Sequence, residues 1–212
     1  MKKNSALADL LRIMARLRGP GGCPWDREQD HQTLRSHAVE EVYELIDAIE
    51  ARDDHEMAEE LGDLLLQVVF HCQLAQERGA FDFESVARGI ADKLIRRHPH
   101  VFGSVKVKNV DEVWANWEKI KAAEKKGGRH ERPSALDGIP AHLPALMRAE
   151  KLVKKARKAK LLSPAKTRLS QSALARQLFR LAAAAQAAGW SAEELLRAQL
   201  KREEKKLRRR EA

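Results

Sequence analysis

The stretch VEEVYELIDAIEARDDHEMAEELGDLLLQVVF, residues 39–70, decides the fold of this chain. Apolar residues recur every three or four positions on both sides of ARDD, a spacing that is typical of amphipathic helices and not of strands. We predict one helix from about residue 36 to residue 51 and another from about residue 55 to residue 78. Most of the acidic side chains of this stretch fall within the two predicted helices.

These acidic side chains lie beside the apolar stripe of each predicted helix. Residues three apart share a helix face, so Glu41 neighbours Glu44, and Glu60 neighbours Asp63. If the helices pack antiparallel through their apolar stripes, all four carboxylates line one side of the seam. Repulsion and desolvation would then raise their pKa values. A hard divalent cation removes this conflict, and Mg²⁺ prefers such oxygen ligands.

The alternative for these faces is a solvated acidic surface with ordinary ion pairs, which is common on helices. Arg52 is the only Lys or Arg between residues 36 and 77, so ion pairs inside this region cannot neutralise the cluster. The pairing of two acidic motifs on adjacent helices therefore favours a metal site.

Helical periodicity continues through the rest of the chain, and we predict an all-α fold. A first helix, with apolar residues from Leu7 to Leu17, ends at the GPGG of residues 19–22. The CPWDREQDHQTL segment that follows is predicted to be irregular. A further helix begins after Asp82, a good N-cap, and ends before Pro99.

We divide the chain into a four-helix domain with the acidic cluster at residues 1–125, a Gly/Pro-rich linker at 126–144 and a basic helical region at 145–212. The last two helices predicted in the basic region, at residues 172–188 and 191–210, resemble the third and fourth helices of the first domain. This similarity indicates a shorter, degenerate second copy of the same unit. The copy has lost the acidic cluster, because Ala173 and Arg176 stand where the first copy has Glu60 and Asp63.

The formal net charge of +9 is unevenly distributed. Residues 1–104 carry 13 basic and 19 acidic side chains, a charge of −6, whereas residues 105–212 carry 27 and 12, a charge of +15. Carboxylate chemistry therefore belongs to the first half. The basic second half is suited to phosphate backbones, but no aromatic residue interleaves with its terminal basic residues and no recognition motif is present.

Cysteine content and hydropathy indicate a cytoplasmic protein. Cys23 and Cys72 are the only cysteines and have no CxxC spacing, which argues for a reducing compartment and against a disulfide framework or a zinc site. Arginines interrupt the apolar positions near the start, so we expect an amphipathic helix there and not a signal peptide. No apolar run approaches the roughly 18 residues of a membrane span.

The acidic motifs and their flanks resemble a known family. EEVYE followed by ELGD fits the EExxE…ExxD pattern of the MazG family of nucleoside triphosphate pyrophosphohydrolases, and GCPWDREQDHQTL, KLIRRHPHVF and VWANWEKIK are similar to MazG segments. The resemblance covers residues 5–160, with one motif copy where two-domain bacterial MazG proteins have two. It implies an all-α enzyme that uses Mg²⁺, with Mn²⁺ as a substitute. Such an enzyme hydrolyses NTPs and dNTPs to nucleoside monophosphate and pyrophosphate and clears aberrant or excess nucleotides.

The resemblance also implies roles for individual acidic residues. Glu41, Glu44, Glu60 and Asp63 correspond to the metal ligands. Glu40, next to them, is a candidate for holding or deprotonating the attacking water.

Candidate substrate-binding residues follow the acidic motifs. Lys93, Arg96 and Arg97 share the last turns of a helix, where they either bind phosphates or complement the helix dipole. The resemblance favours phosphate binding. It also implies that Trp117 contacts the base, with Lys121 one turn further on.

Two alternatives stay open at this point. One is a related all-α pyrophosphatase that acts on phosphoribosyl-ATP or on dUTP and dCTP, although the flanking segments argue against it. The other is a catalytically weak regulatory or nucleic-acid-binding protein that uses the basic C-terminal region. We also expect a homodimer, because the resemblance implies one and because a four-helix unit of this length leaves apolar surface uncovered.

Overall fold

A computed structural model describes residues 5–124, 127, 131, 133–163 and 169–211 of the chain. Every regular element in these residues is a helix, which confirms the predicted all-α fold. The chain divides into two compact units, Met1–Trp117 and Glu118–Ala212. None of the described helices is long and apolar enough to cross a membrane.

The first unit is built from a series of helices of very different lengths. They are α1 (Ala6–Arg18), α2 (Pro24–Glu28), α3 (Arg35–Ala51), α4 (Asp54–Glu77), α5 (Phe83–Arg97) and α6 (Pro99–Phe102). A further helix, α7 (Val110–Ala123), begins in this unit and continues past the division. The short helices α2 and α6 were not predicted. Each begins with a proline, whose fixed φ suits the first helical turn, but each is too short to create apolar periodicity.

Helices α3 and α4 pack against each other and are joined by only two residues. Arg52 ends α3 in the left-handed conformation, with φ 58° and ψ 36°. Asp53 caps α4, because its side chain accepts hydrogen bonds from the backbone N–H groups of His55 and Glu56 at 3.0 and 3.2 Å. So short a turn makes the helices antiparallel, and residues at similar distances from it face each other across the seam.

The core of the first unit lies between α1, α4 and the segment before α3. It consists of a buried apolar cluster formed by Met14, Leu34, Val69, Phe70 and Leu74. Helix α1 ends where the sequence predicts, at the GPGG turn. A Cβ on Gly22 would lie 2.1 Å from the carbonyl oxygen of Leu17, so only glycine fits this turn.

Arg18 ties α1 to the far end of α4. Its Nε and Nη2 atoms each donate a hydrogen bond of 2.8 Å to the carboxylate of Glu77. Its Nη1 atom also donates to the carbonyl oxygens of Asp26 and Gln29. The bond from Arg18 is the main reason why the pKa of Glu77 lies below its ordinary value.

The second unit contains α8 (Ala145–Lys158), α9 (Gln171–Ala187) and α10 (Ala192–Glu211). Helices α8 and α10 pack together around a core of buried apolar side chains, namely Leu136, Ala145, Leu152, Ala156, Leu200 and Leu207. Leu136, which is 1% exposed, falls in the stretch predicted to be the linker. This part of the stretch is therefore packed into the second unit, because it covers apolar surface that α8 and α10 present. The division between the units lies earlier, inside α7.

Candidate metal and nucleotide site

Three carboxylates meet at the seam between α3 and α4. One oxygen atom from each of Glu41, Glu60 and Asp63 lies within 4.8 Å of the other two, and all three side chains are half-buried. Glu60 and Asp63 share a face of α4, and Glu41 approaches them from α3. None of the three forms an ion pair with a described Lys or Arg. The predicted meeting of acidic helix faces is therefore present in the fold.

Burial and mutual repulsion raise the pKa values of two of these carboxyl groups. The pKa of Glu41 lies above its ordinary 4.5, first because of desolvation and then because of the charge of Asp63, while a hydrogen bond from Gln67 opposes the rise. The pKa of Glu60 is also raised, by desolvation first and then by the charges of Glu44 and Asp63. The cluster stores unfavourable electrostatic energy when its members are ionised.

Glu44 and Glu40 lie at the edge of this cluster. Glu44 is exposed and close enough to raise the pKa of Glu60, but it is not a member of the group of oxygens within 4.8 Å of one another. Glu40 is 64% exposed, and its Oε2 lies 3.8 Å from Nδ1 of His37. The structure thus brings together three of the four predicted ligands and leaves the fourth on the rim.

Gln67 is a member of the site that the pattern of carboxylates did not reveal. It lies four residues after Asp63 on the same face of α4 and is only 8% exposed. Its Nε2 donates a hydrogen bond of 3.3 Å to Oε1 of Glu41. The signal that points to it in sequence is a single amide inside the apolar run LLLQVVF, at helical spacing from Glu60 and Asp63.

The donor set fits a hard divalent cation. All three convergent side chains offer carboxylate oxygens, the ligands that Mg²⁺ and Mn²⁺ prefer, and none offers nitrogen or sulfur. Oε2 of Glu60 is buried and has no hydrogen-bond partner among the described residues. An anionic oxygen that is cut off from water in this way is unfavourable unless a cation or a donor satisfies it.

The predicted nucleotide-binding residues are only partly brought together. The guanidinium carbon of Arg97, at the end of α5, lies over the ring of Trp117 at 5.9 Å from its centroid. Lys93 and Arg96 are exposed on the same part of α5. Lys121 falls past the division in the second unit, where its Nζ lies 3.8 Å from Oε1 of Glu118.

Comparison with known proteins identifies the family of this acidic hairpin. Residues 29–102 match the family model described as the MazG nucleotide pyrophosphohydrolase domain. The chain carries a MazG domain. The match spans α3, α4 and α5 and therefore includes the whole carboxylate cluster.

Proteins similar to this chain align with about two thirds of its length. The nucleoside triphosphate pyrophosphohydrolase of Escherichia coli K12 is 52% identical over 147 residues, 69% of this chain and 55% of that protein. A nucleoside triphosphate pyrophosphohydrolase/pyrophosphatase MazG of Thermotoga maritima is 49% identical over 144 residues, 68% of this chain and 54% of that protein. The uncharacterized protein YabN of Bacillus subtilis is 51% identical over 142 residues, 67% of this chain and 28% of that protein. The chain thus spans about half the length of these pyrophosphohydrolases, and less of YabN.

The matched MazG segment divides the predicted substrate residues. Lys93, Arg96 and Arg97 fall inside it, whereas Trp117 and Lys121 follow its last residue. The resemblance inferred from the motifs is confirmed by the match, and the roles of these five residues stay predictions.

Proposed function

We propose that this chain hydrolyses nucleoside triphosphates, both NTPs and dNTPs, to nucleoside monophosphate and pyrophosphate, and so clears unwanted nucleotides. The observation that carries the proposal is the convergence of Glu41, Glu60 and Asp63 in a MazG domain, with a buried oxygen of Glu60 that lacks a partner among the described residues. Relatives that are about half identical bear the name nucleoside triphosphate pyrophosphohydrolase. The free cysteines support the predicted cytoplasmic location.

The cofactor of this reaction is Mg²⁺, with Mn²⁺ as a substitute, because the donors are all carboxylate oxygens. Glu41, Glu60 and Asp63 would hold the cation, and Glu44 on the rim would add a fourth carboxylate. When bound, the cation would neutralise phosphate charge and would lower the pKa of a water that it holds. Glu40, exposed beside the cluster, would accept a proton from the attacking water.

The nucleotide itself would be bound by cations and an aromatic ring near the end of α5. The guanidinium carbon of Arg97 lies over the Trp117 ring at 5.9 Å from its centroid, and the two groups would form a surface against which a base can lie. Lys93 and Arg96 would contact phosphates, together with the edge of the Arg97 guanidinium. Such stacking tolerates any base, so we expect activity on several nucleotides.

We also propose that the chain acts as a homodimer. Apolar side chains that are 39% to 56% exposed recur at helical spacing along both members of the α3–α4 hairpin. They are Val39, Val42, Ile46, Ile49, Leu61, Leu65 and Val68. A second copy offers the same stripes, so two hairpins can bury them in a four-helix arrangement. Light scattering should give the dimer mass for the wild type and a monomer for Ile49→Glu. A monomeric wild type would contradict the proposal.

One assay tests the reaction, its substrates and its metal requirement together. Purified protein is incubated with each NTP and dNTP in the presence of Mg²⁺, and nucleoside monophosphate and pyrophosphate are measured. We expect both products in equal amounts, and we expect none after chelation or in Glu41→Gln. Release of orthophosphate and nucleoside diphosphate would contradict the proposed bond cleavage.

A second candidate function, binding of nucleic acid by the second unit, is favoured by one observation. The carboxylates in the second half of α10 are engaged within their unit, as in the pairing of Glu204 with Arg148 and Arg208. Five basic side chains of the same helix have no hydrogen bond or ion pair with a described residue: Lys201, Arg202, Lys205, Arg209 and Arg210.

The nucleic-acid hypothesis is tested by titrating labelled random duplex DNA at about 50 and 200 mM salt. We expect salt-sensitive binding that weakens at least tenfold in Lys201→Ala/Lys205→Ala. Absence of binding at the lower salt concentration, or equal binding by the variant, would eliminate this function.

A further inference from the structure

Gln67 is placed between the acidic cluster and the apolar interior of the first unit. Its Nε2 donates to Oε1 of Glu41 across the seam, and this is the one side-chain hydrogen bond between described residues that reaches Glu41, Glu60 or Asp63. On its other side, α4 continues with the fully buried Val69 and Phe70. The amide thus contacts the acidic cluster through its hydrogen bond to Glu41, and it is buried like the neighbouring core residues.

Packing does not explain a glutamine at this position. The second polar atom of its amide, Oε1, is buried and has no hydrogen-bond partner within the described residues. A buried acceptor without a partner destabilises a fold, and a leucine or methionine would fill similar space without that cost. The NH₂ group stabilises ionised Glu41 in the metal-free protein, but the buried Oε1 has no such role and must serve something else.

We propose that Gln67 is a positioning residue of the metal site, which holds Glu41 through its NH₂ group and accepts a hydrogen bond from a metal-bound water through Oε1. This inference rests on the proposed function, since it requires a divalent cation at the cluster. The chemistry of an amide suits the position, because one group donates to an anion while the other accepts from a water. A carboxylate at position 67 would repel Glu41, and an apolar side chain would make neither bond.

The role follows the general behaviour of groups that support metal ligands. Mg²⁺ keeps several waters in its shell, and these need acceptors in the surrounding protein. A ligand carboxylate that is held in place by a hydrogen bond loses less freedom when it binds the cation. Loss of such a supporting partner typically weakens metal affinity by about 10-fold to 100-fold.

The test compares two matched substitutions on the same helix. Gln67→Met removes the amide at the cluster. Gln73→Met removes an amide that makes the same kind of bond elsewhere, since Nε2 of Gln73 donates to Oε1 of Glu77 at 3.0 Å. Mn²⁺ binding is measured by electron paramagnetic resonance on the full chain without nucleotide, and the melting temperature is measured in a chelator. Gln67→Leu serves as a second replacement that matches the neighbouring leucines of α4, and circular dichroism checks the fold of each variant.

We expect Gln67→Met and Gln67→Leu to bind Mn²⁺ about 10-fold to 100-fold more weakly than the wild type while they keep the wild-type circular dichroism spectrum. Gln73→Met should bind Mn²⁺ within a factor of about two of the wild type. Wild-type affinity in both folded Gln67 variants would overturn the positioning role. No Mn²⁺ binding by the wild type would instead refute the proposed function on which this role depends.

Discussion

Glu41→Gln should stabilise the metal-free protein while it removes a ligand of the proposed metal site. The interacting oxygens of Glu41 and Asp63 lie no more than 4.8 Å apart. Two unit charges at that separation repel by about 0.9 kcal/mol in a water-like dielectric and by about 3.5 kcal/mol at an effective dielectric constant of 20. Both side chains are partly exposed, so we use the lower, screened value. For a chain of this size it corresponds to a rise in melting temperature of about 2–4 °C.

The pH dependence of this difference is fixed by the raised pKa of Glu41. Because the folded state disfavours the charged form, ionised Glu41 destabilises the fold above its folded pKa. The penalty disappears as pH falls and the carboxyl group is protonated. The melting-temperature gap between Glu41→Gln and the wild type should therefore be largest near neutral pH and should narrow as pH falls through that raised pKa.

Magnesium should reverse the order of stability. At a concentration 100 times its dissociation constant, a ligand that binds only the folded state adds about 2.7 kcal/mol, which is roughly 5–11 °C here. Differential scanning fluorimetry at pH 7.5, with chelator and then with MgCl₂, should show this gain for the wild type and not for Glu41→Gln. The electrostatic argument fails if the variant melts below the wild type in chelator. The metal assignment fails if MgCl₂ raises both proteins equally.

Two further substitutions test the frame of the first unit. Arg18→Met should lower the free energy of unfolding by about 1–2 kcal/mol, because it removes the paired hydrogen bonds to the Glu77 carboxylate, which is 37% exposed and regains water; urea unfolding measures this. Because Arg18 lowers the pKa of Glu77, its stabilisation of the fold is complete above pH 4.5 and is lost as pH falls through the lowered pKa. The free energies of unfolding of wild type and variant should therefore become equal in acid. A difference that persists there would contradict the pairing. Gly22→Ala should lower the free energy of unfolding by about 1–3 kcal/mol, because its Cβ would overlap the Leu17 carbonyl oxygen. Gly89→Ala, which has open space around it in α5, should raise that free energy by about 0.5–1 kcal/mol. Equal effects of the two substitutions in thermal melts would refute the steric argument.

The long helices and their ends were predictable because the signals are local. The apolar period of α3 and α4, the GPGG stop after α1 and the Asp82 cap of α5 are each encoded within a few residues, and Asp82 does accept from the Ser85 N–H at 2.8 Å. The need for a local signal also explains why the short helices were not predicted. Helix α2 is a single turn that begins with Pro24 and has no period to detect.

The charged residues of the candidate site could be predicted from the sequence more easily than its neutral residue, Gln67. Helical spacing, together with antiparallel packing of the two helices, predicted that Glu41, Glu60 and Asp63 meet. The exposed position of Glu44 depends on a side-chain orientation that spacing does not fix. Gln67 was missed because an amide adds nothing to a count of carboxylates. The burial of Leu136 could not be foreseen, because its partners on α8 and α10 are distant in sequence.

The two-residue connection at Arg52 and Asp53 fixes the register of the acidic groups on α3 against those on α4. An exposed surface turn is usually the place where a chain accepts extra residues most readily. Here a single insertion that lengthened either helix would slide α4 by about 1.5 Å and rotate it by about 100° against α3. The acidic side chains would then point away from one another although every one of them remained in the sequence. Chain length at this bend is thus as strict a requirement for the proposed enzyme as the identity of any ligand.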